Sequence, residues 1–187
     1  MDTSFGIRLL LISLLCVLLQ IPSLQSLVEW DKLAIHAGQW WRIVSGNFSH
    51  TNLAHLSMNL AGLWVICYLF RPSWRSTVIV TLISATVIGI TLLFTDIRYY
   101  LGLSGVLHAL FAYGALQEAL QGRKSSWLLV LGVTIKVAWE NIYGASEATS
   151  QLIAAAVATQ AHAIGFSVGL ALALLVALYH TRLQHNP

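Results

Sequence analysis

Charge is what this sequence has least of. Asp, Glu, Lys and Arg make up 9% of the 187 residues, against 57% hydrophobic, where a soluble domain carries about 25% charged residues. With a mean hydropathy of +0.74, this excludes a soluble globular domain. The formal charge of +3 is small and scattered along loops, which excludes a nucleic-acid surface, since that needs a concentrated basic patch. Cysteine is nearly absent. Cys16 and Cys67 each lie in an apolar run, where they act as small hydrophobes rather than as a disulfide or metal framework. There is no HExxH zinc-protease motif, and no repeat or low-complexity segment. What remains is one polytopic, all-α membrane domain over residues 1–187.

A transmembrane helix needs about 20 mostly apolar residues. Six runs approach that length and predict a six-helix bundle: residues 7–24, 53–70, 78–94, 103–120, 127–139 and 152–179. A cleaved leader is the alternative reading of the first run, because Arg8 precedes it and IPSLQS resembles a cleavage site. Basic residues favour cytoplasmic loops. With the N-terminus inside, Arg8, Arg71, Arg75, Arg123, Lys124 and Arg182 fall inside, and Lys32, Arg42, Arg98 and Lys136 outside. The loop over residues 25–52 carries Trp30, Trp40 and Trp41, a composition that suits the membrane interface.

Polar side chains within spans are costly and face a bundle interior or an aqueous cavity. Here they are His55 and Asn59 in the second run, Ser104 and His108 in the fourth, and His162 in the sixth. Each i, i+4 pair shares a helix face. Spans two, four and six run in the same direction, so Ser104, His55 and His162 reach similar depth in the outer half of the bilayer. A serine becomes a nucleophile when a neighbouring base takes its proton, and histidine is the natural base. Ser104 opens its helix, where free N–H groups favour developing negative charge, and Gly102 and Gly105 leave the backbone open to substrate. Asn59 and His55 are further donors for an oxyanion. Gly165 and Gly169 follow His162 as a small-residue stripe for close helix approach. Glu118 lies too far along its helix from Ser104, and Asp96, Glu140 and Glu147 read as loop residues. The sequence therefore predicts a Ser104–His162 dyad with no carboxylate. Each of these residues taken singly has an ordinary packing role; it is their combination that points to chemistry.

The combination resembles the rhomboid family of intramembrane serine proteases. Trp41-Arg42 is similar to that family's WR motif; His50, His55 and Asn59 in HTNLAHLSMN to its HxxxxHxxxN; Gly102-Leu103-Ser104-Gly105 to its GxSG; and His162, Gly165 and Gly169 to its catalytic-histidine helix. The resemblance implies that Ser104 attacks a peptide bond with His162 as general base and then general acid, without a cofactor or metal. It implies an oxyanion hole from the Ser104 N–H with His55 and Asn59. It also implies that His50 organises the loop and water access, that Trp41 and Arg42 anchor the interfacial loop, and that substrate helices enter between spans 2 and 5. GASEATSQ, residues 144–151, would be a flexible cap. Two departures from well-known bacterial members are expected: a bundle without a preceding cytoplasmic N-terminal domain, and His108 in place of the aromatic that stacks on the catalytic histidine.

The compact form with GLSGVLHAL resembles the rhombosortase subgroup of bacterial inner membranes. The implied substrates are membrane proteins with GlyGly-CTERM anchors, consisting of a Gly-rich stretch, a span and a basic tail, cut on the periplasmic side with both termini of the enzyme cytoplasmic. Two other readings remain: a rhomboid-like binder of membrane helices without activity, and a haem- or metal-carrying or transport bundle using His55, His108 and His162.

Overall fold

The structure is a computed structural model and describes residues 3–185. Long helices account for most of it: α1 (Thr3–Leu18), α5 (Leu53–Phe70), α6 (Trp74–Leu92), α7 (Ser104–Leu120), α8 (Ser126–Tyr143) and α10 (Thr159–His185). Short helices α2 (Pro22–Val28), α3 (Lys32–His36) and α4 (Arg42–Ser45), with a 3-10 turn at Gly46–Phe48, fill the loop after α1, and α9 (Glu147–Ile153) lies between α8 and α10. The helices begin where the chain offers caps. Asn52 accepts from the His55 N–H at 2.8 Å to start α5, and Ser73 accepts from Ser76 N–H at 3.1 Å to start α6, each satisfying an otherwise orphan donor. Pro22 opens α2, where its missing N–H costs nothing.

By length and composition α5, α6 and residues Thr159–Arg182 of α10 can each cross a membrane. Counting the bent pairs α1 with α2 and α8 with α9 as one span each raises that number to five. Helix α7, 17 residues long, is the central element, packed by α10, α6, α8 and α5, and buries Gly105, Val106, Ala109, Leu110, Ala112 and Ala115. The outer faces of the bundle are apolar: Leu10 and Leu14 on α1, Leu128 and Leu131 on α8, and Leu174 and Leu175 on α10 are exposed. That inverted surface suits lipid rather than water.

Most expected boundaries shift by a few residues, α6 for example running Trp74–Leu92 instead of 78–94, and three changes are larger. The first run is not one helix to residue 24: the chain turns by 102° between Leu18 and Pro22, because a proline begins the next helix instead of continuing the first. The fifth helix does not stop at Trp139 but continues to Tyr143, ending at Gly144 with φ +83°. The last helix starts at Thr159, not residue 152, and Leu152 and Ile153 belong to α9. The expected loop of residues 144–151 therefore ends in a helix.

The segment between α1 and α5 is held by side chains reaching main-chain carbonyls. Arg42, 7% exposed, donates from Nη1 to Glu29 O at 2.7 Å, from Nη2 to Ser26 O at 2.8 Å and from Nε to Gln39 Oε1 at 2.7 Å. Trp41 Nε1 donates to Leu27 O at 2.9 Å while its ring is exposed. Trp30 is fully buried and donates to Gly89 O of α6 at 2.9 Å. Strand β1 (Trp30–Asp31) pairs antiparallel with β2 (Tyr99–Tyr100), Trp30 opposite Tyr100, which ties this segment to the chain entering α7.

His50 is fully buried with neither ring nitrogen hydrogen-bonded, its ring edge-on to His55 at 5.1 Å. Burial, helped by the neighbouring His55, pushes its pKa from 6.5 down to about 3. The folded protein keeps His50 neutral in that window while the unfolded chain takes up the proton. Stability is thus expected to fall as pH drops below 6.5, by up to about 1.4 kcal/mol per pH unit. Thermal unfolding in detergent across this range checks it, and His50→Phe should flatten the decline above the carboxylate range.

Candidate active site

The turn into α7 is set by glycine. Gly102 has φ +130°, and a Cβ there would lie 2.8 Å from His55 Nε2, so backbone and space both demand glycine. Tyr100 Oη donates to Gly102 O at 2.7 Å, pinning this turn. Ser104 then opens α7, whose N-terminus has no side-chain cap, leaving first-turn N–H groups available to an anion. Leu103 is 1% exposed, and its side chain belongs to the core rather than to the site.

His162 lies in the first turn of α10, with Nε2 2.9 Å from Ser104 Oγ. Glycines permit this. A Cβ on Gly165 would collide with the Gly105 carbonyl and one on Gly169 with the Ala109 carbonyl, while one on Gly105 would lie 2.9 Å from Ala161 O. The second glycine of GLSG is thus a helix-contact residue.

The expectation that no carboxylate approaches the pair is overturned. Glu140 is in α8, not a loop, and its Oε2 lies 2.8 Å from His162 Nδ1. Lys136, one turn earlier in the same helix, donates to Glu140 Oε1 at 2.7 Å. The tautomers follow from the acceptors. A carboxylate only accepts, so His162 carries its proton on Nδ1 and turns the Nε2 lone pair to the Ser104 hydroxyl. His108 Nδ1 is 2.7 Å from Ser104 O, also only an acceptor, so its Nε2 is a lone pair and receives the Lys136 ammonium at 3.1 Å. The His108 ring stacks on His162 at 4.2 Å and 19°, filling the place of the expected aromatic. Lys136 and Glu140 carried a legible signal: two ionisable residues at i, i+4 in an apolar run, hidden by ending that run at Trp139.

His55 and Asn59 lie on one face of α5, both buried. Asn59 Nδ2 donates to His55 O at 3.1 Å, which uses one of its two hydrogens. Thr51, a residue the motifs did not flag, joins His55 to α9. Its Oγ1 lies 2.6 Å from Ile153 O and 3.1 Å from His55 Nδ1. Ile153 O can only accept, so the single Thr51 hydrogen goes there and neutral His55 donates to Thr51 from Nδ1. Asn52 Nδ2 adds a bond to Leu152 O at 3.0 Å, so α9 is strapped to the start of α5.

A cavity of about 240 Å³ opens beside Ser104, bounded by Thr51, His55, Tyr99, Leu101 and the run Ala155-Ala156-Val157-Ala158. A second, about 370 Å³, lies between α5, α7 and α8, apolar along Ile66, Leu107, Phe111 and Val133 and bordered by His108 and Lys136. The metal reading fits poorly. His108, Glu140 and His162 bring ligand atoms within 4.8 Å of one another, but the two rings are stacked, both His108 nitrogens are engaged, and an ammonium occupies the adjoining space. His55 is not part of that group.

Fold and site together define a helical membrane protein with a serine and a histidine from separate helices in hydrogen-bonding contact. Residues 37–179 match the family model of the Rhomboid domain, well over half of the chain, which therefore belongs to the rhomboid family. That family consists in general of intramembrane serine proteases that act on membrane-protein substrates within the bilayer.

Proposed function

We propose that this chain is a six-span intramembrane serine endopeptidase that cuts membrane-anchored proteins near the outer boundary of their transmembrane segment. Helices α1, α5, α6, α7, α8 and α10 are the six spans, both termini are cytoplasmic, and the site opens to the periplasmic face of a bacterial inner membrane. The observation that carries the reading is the 2.9 Å contact between His162 Nε2 and Ser104 Oγ, bridging α10 and α7. Ser104 Oγ bonds to the scissile carbonyl carbon as its proton passes to His162 Nε2. The tetrahedral oxyanion is held by the Ser104 N–H and the Asn59 amide. His55 joins them from Nε2 in its other tautomer, which it reaches when the cap lifts and Thr51 turns its hydroxyl from Ile153 O to His55 Nδ1. The C–N bond then breaks, His162 gives its proton to the leaving amine, and water, deprotonated by His162, releases the acyl group from Ser104. His50, Trp41 and Arg42 support the surrounding loop, and Gly165 and Gly169 hold α10 against α7.

The favoured substrates carry GlyGly-CTERM anchors. Cleavage needs an extended backbone, and each glycine costs a helix about 1 kcal/mol relative to alanine, so a Gly-rich junction unwinds readily into the site. The test is cleavage of a reporter ending in Gly-Gly, a transmembrane segment and a basic tail, with wild type, Ser104→Ala or His162→Ala. Loss in both variants at normal expression is the expected result. Cleavage surviving Ser104→Ala would sink the protease reading. Cleavage unchanged after both glycines become alanine would remove the substrate assignment and leave the chemistry standing.

A further inference from the structure

We infer that Glu140 is a positioning residue for His162, so that the chain works with a Ser104–His162–Glu140 set, and that Lys136 and His108 form the frame that makes this carboxylate tolerable inside the bundle. The inference rests on the serine-protease reading above and adds a member to it.

The geometry is sequential. Lys136 Nζ meets Glu140 Oε1, Glu140 Oε2 meets His162 Nδ1, and His162 Nε2 meets Ser104 Oγ, at 2.7, 2.8 and 2.9 Å. Each oxygen of the carboxylate therefore has a separate partner. A single carboxylate among apolar helices is strongly disfavoured, whereas the half-exposed Lys136 side chain can carry its ammonium outward when unpaired. Four residues apart on α8, each neutralises the other, and Glu140 keeps one oxygen free to take the imidazole.

Neutral imidazole has two tautomers, and only the one protonated on Nδ1 accepts the Ser104 proton. Glu140 selects that form and, once His162 is doubly protonated, lies against the resulting cation. The proton that leaves Ser104 stays on Nε2, the one on Nδ1 does not move, and Glu140 remains ionised throughout. His108 does two further jobs. It holds the Ser104 carbonyl from Nδ1 and lies flat on the His162 ring, so the imidazole cannot tilt away from the line between Glu140 and Ser104. Lys136 fixes the His108 tautomer from the other side. The charged or titratable groups facing His162 are thus His108 from α7, Glu140 and Lys136 from α8, and His55 from α5, with His50 behind it. Glu140 is the acid among them.

The decisive variant is Glu140→Gln, which keeps the shape and an oxygen but removes the charge and the acceptor-only character. Ser104 labelling by a fluorophosphonate and turnover of the anchor reporter should both fall about 100-fold or more, since the corresponding carboxylate-to-amide change in soluble serine proteases costs up to about 10⁴-fold in kcat. KM and the unfolding temperature should stay close to wild type. Glu140→Asp, with the charge kept, should label faster than Glu140→Gln at equal folded yield; equal loss in both would overturn the inference. The paired variant Lys136→Met with Glu140→Gln separates this role from simple charge balance. If Glu140 exists only to neutralise Lys136, the pair regains wild-type labelling and the inference fails; the expected result is activity as low as Glu140→Gln alone. A wild type that neither labels nor cuts would overturn the protease reading and this inference with it. An active wild type with an unimpaired Glu140→Gln would overturn only the inference.

Discussion

Replacing Gly165 by alanine is expected to abolish Ser104 labelling and reporter cleavage while leaving a protein that still inserts. The added methyl would point at the Gly105 carbonyl, a backbone atom that has no rotamer to turn away. Helix α10 must move outward instead, and it carries His162 with it. Overpacking of this kind costs about 1–3 kcal/mol in stability, but the larger effect is on geometry. A displacement of about 1 Å at a reacting pair costs about 100-fold in rate, and the Ser104–His162 contact is only three residues from the insertion point. Gly132 supplies the control. It lies inside α8 with nothing within 4 Å of its notional Cβ, so Gly132→Ala should keep activity and raise stability by up to about 1 kcal/mol through helix propensity. Labelling rate and thermal unfolding, measured on both variants in the same detergent, check the pair. Full activity in Gly165→Ala would show that α7 and α10 do not depend on this contact.

The difference between these glycines was partly legible in the sequence. Gly165 and Gly169 form an i, i+4 stripe after a histidine in an apolar run, and such stripes mark close helix approach. Ser104, His55, Asn59 and His162 were legible for a related reason: polar atoms in a membrane helix are costly, so their positions are informative. Glu140 obeys the same rule yet escapes it, because hydropathy loses its edge where a helix reaches the polar boundary. A charged residue there reads equally well as the last turn or as the following loop. Only the partner on α10 distinguishes the two, and a contact between residues 22 positions apart has no local signature. Thr51 is a harder case. Its importance lies in a single hydrogen that must choose between the Ile153 carbonyl and an imidazole, and neither neighbour is implied by the sequence around it. The bend after Leu18 has its signal in Pro22, but the residues beyond it are still apolar enough to extend the run, so hydropathy alone does not mark the break.

Arg42→Leu is expected to be the most destabilising single change outside the α7–α10 contact. The guanidinium is almost wholly buried, yet among the described residues its three hydrogen bonds go to neutral oxygens: the Glu29 and Ser26 carbonyls and the Gln39 side chain. Leucine would bury comfortably but leave those two carbonyls without this donor, at about 1–3 kcal/mol each, for a total on the order of 3 kcal/mol or more. Lysine should not rescue. It keeps the charge but is a point donor on a flexible stem, unable to span three acceptors that match a planar fork. If charge alone mattered, Arg42→Lys would behave as wild type. If the fork matters, Arg42→Lys should lie near Arg42→Leu in thermal unfolding. The consequence for the site runs through the chain rather than through space. Arg42 fixes residues 26–29, Trp30 is the next residue and pairs with Tyr100, and Tyr100 holds the Gly102 carbonyl. Loosening that path should lower Ser104 labelling even in the folded fraction, whereas a purely stabilising role would leave the labelling rate per folded molecule unchanged.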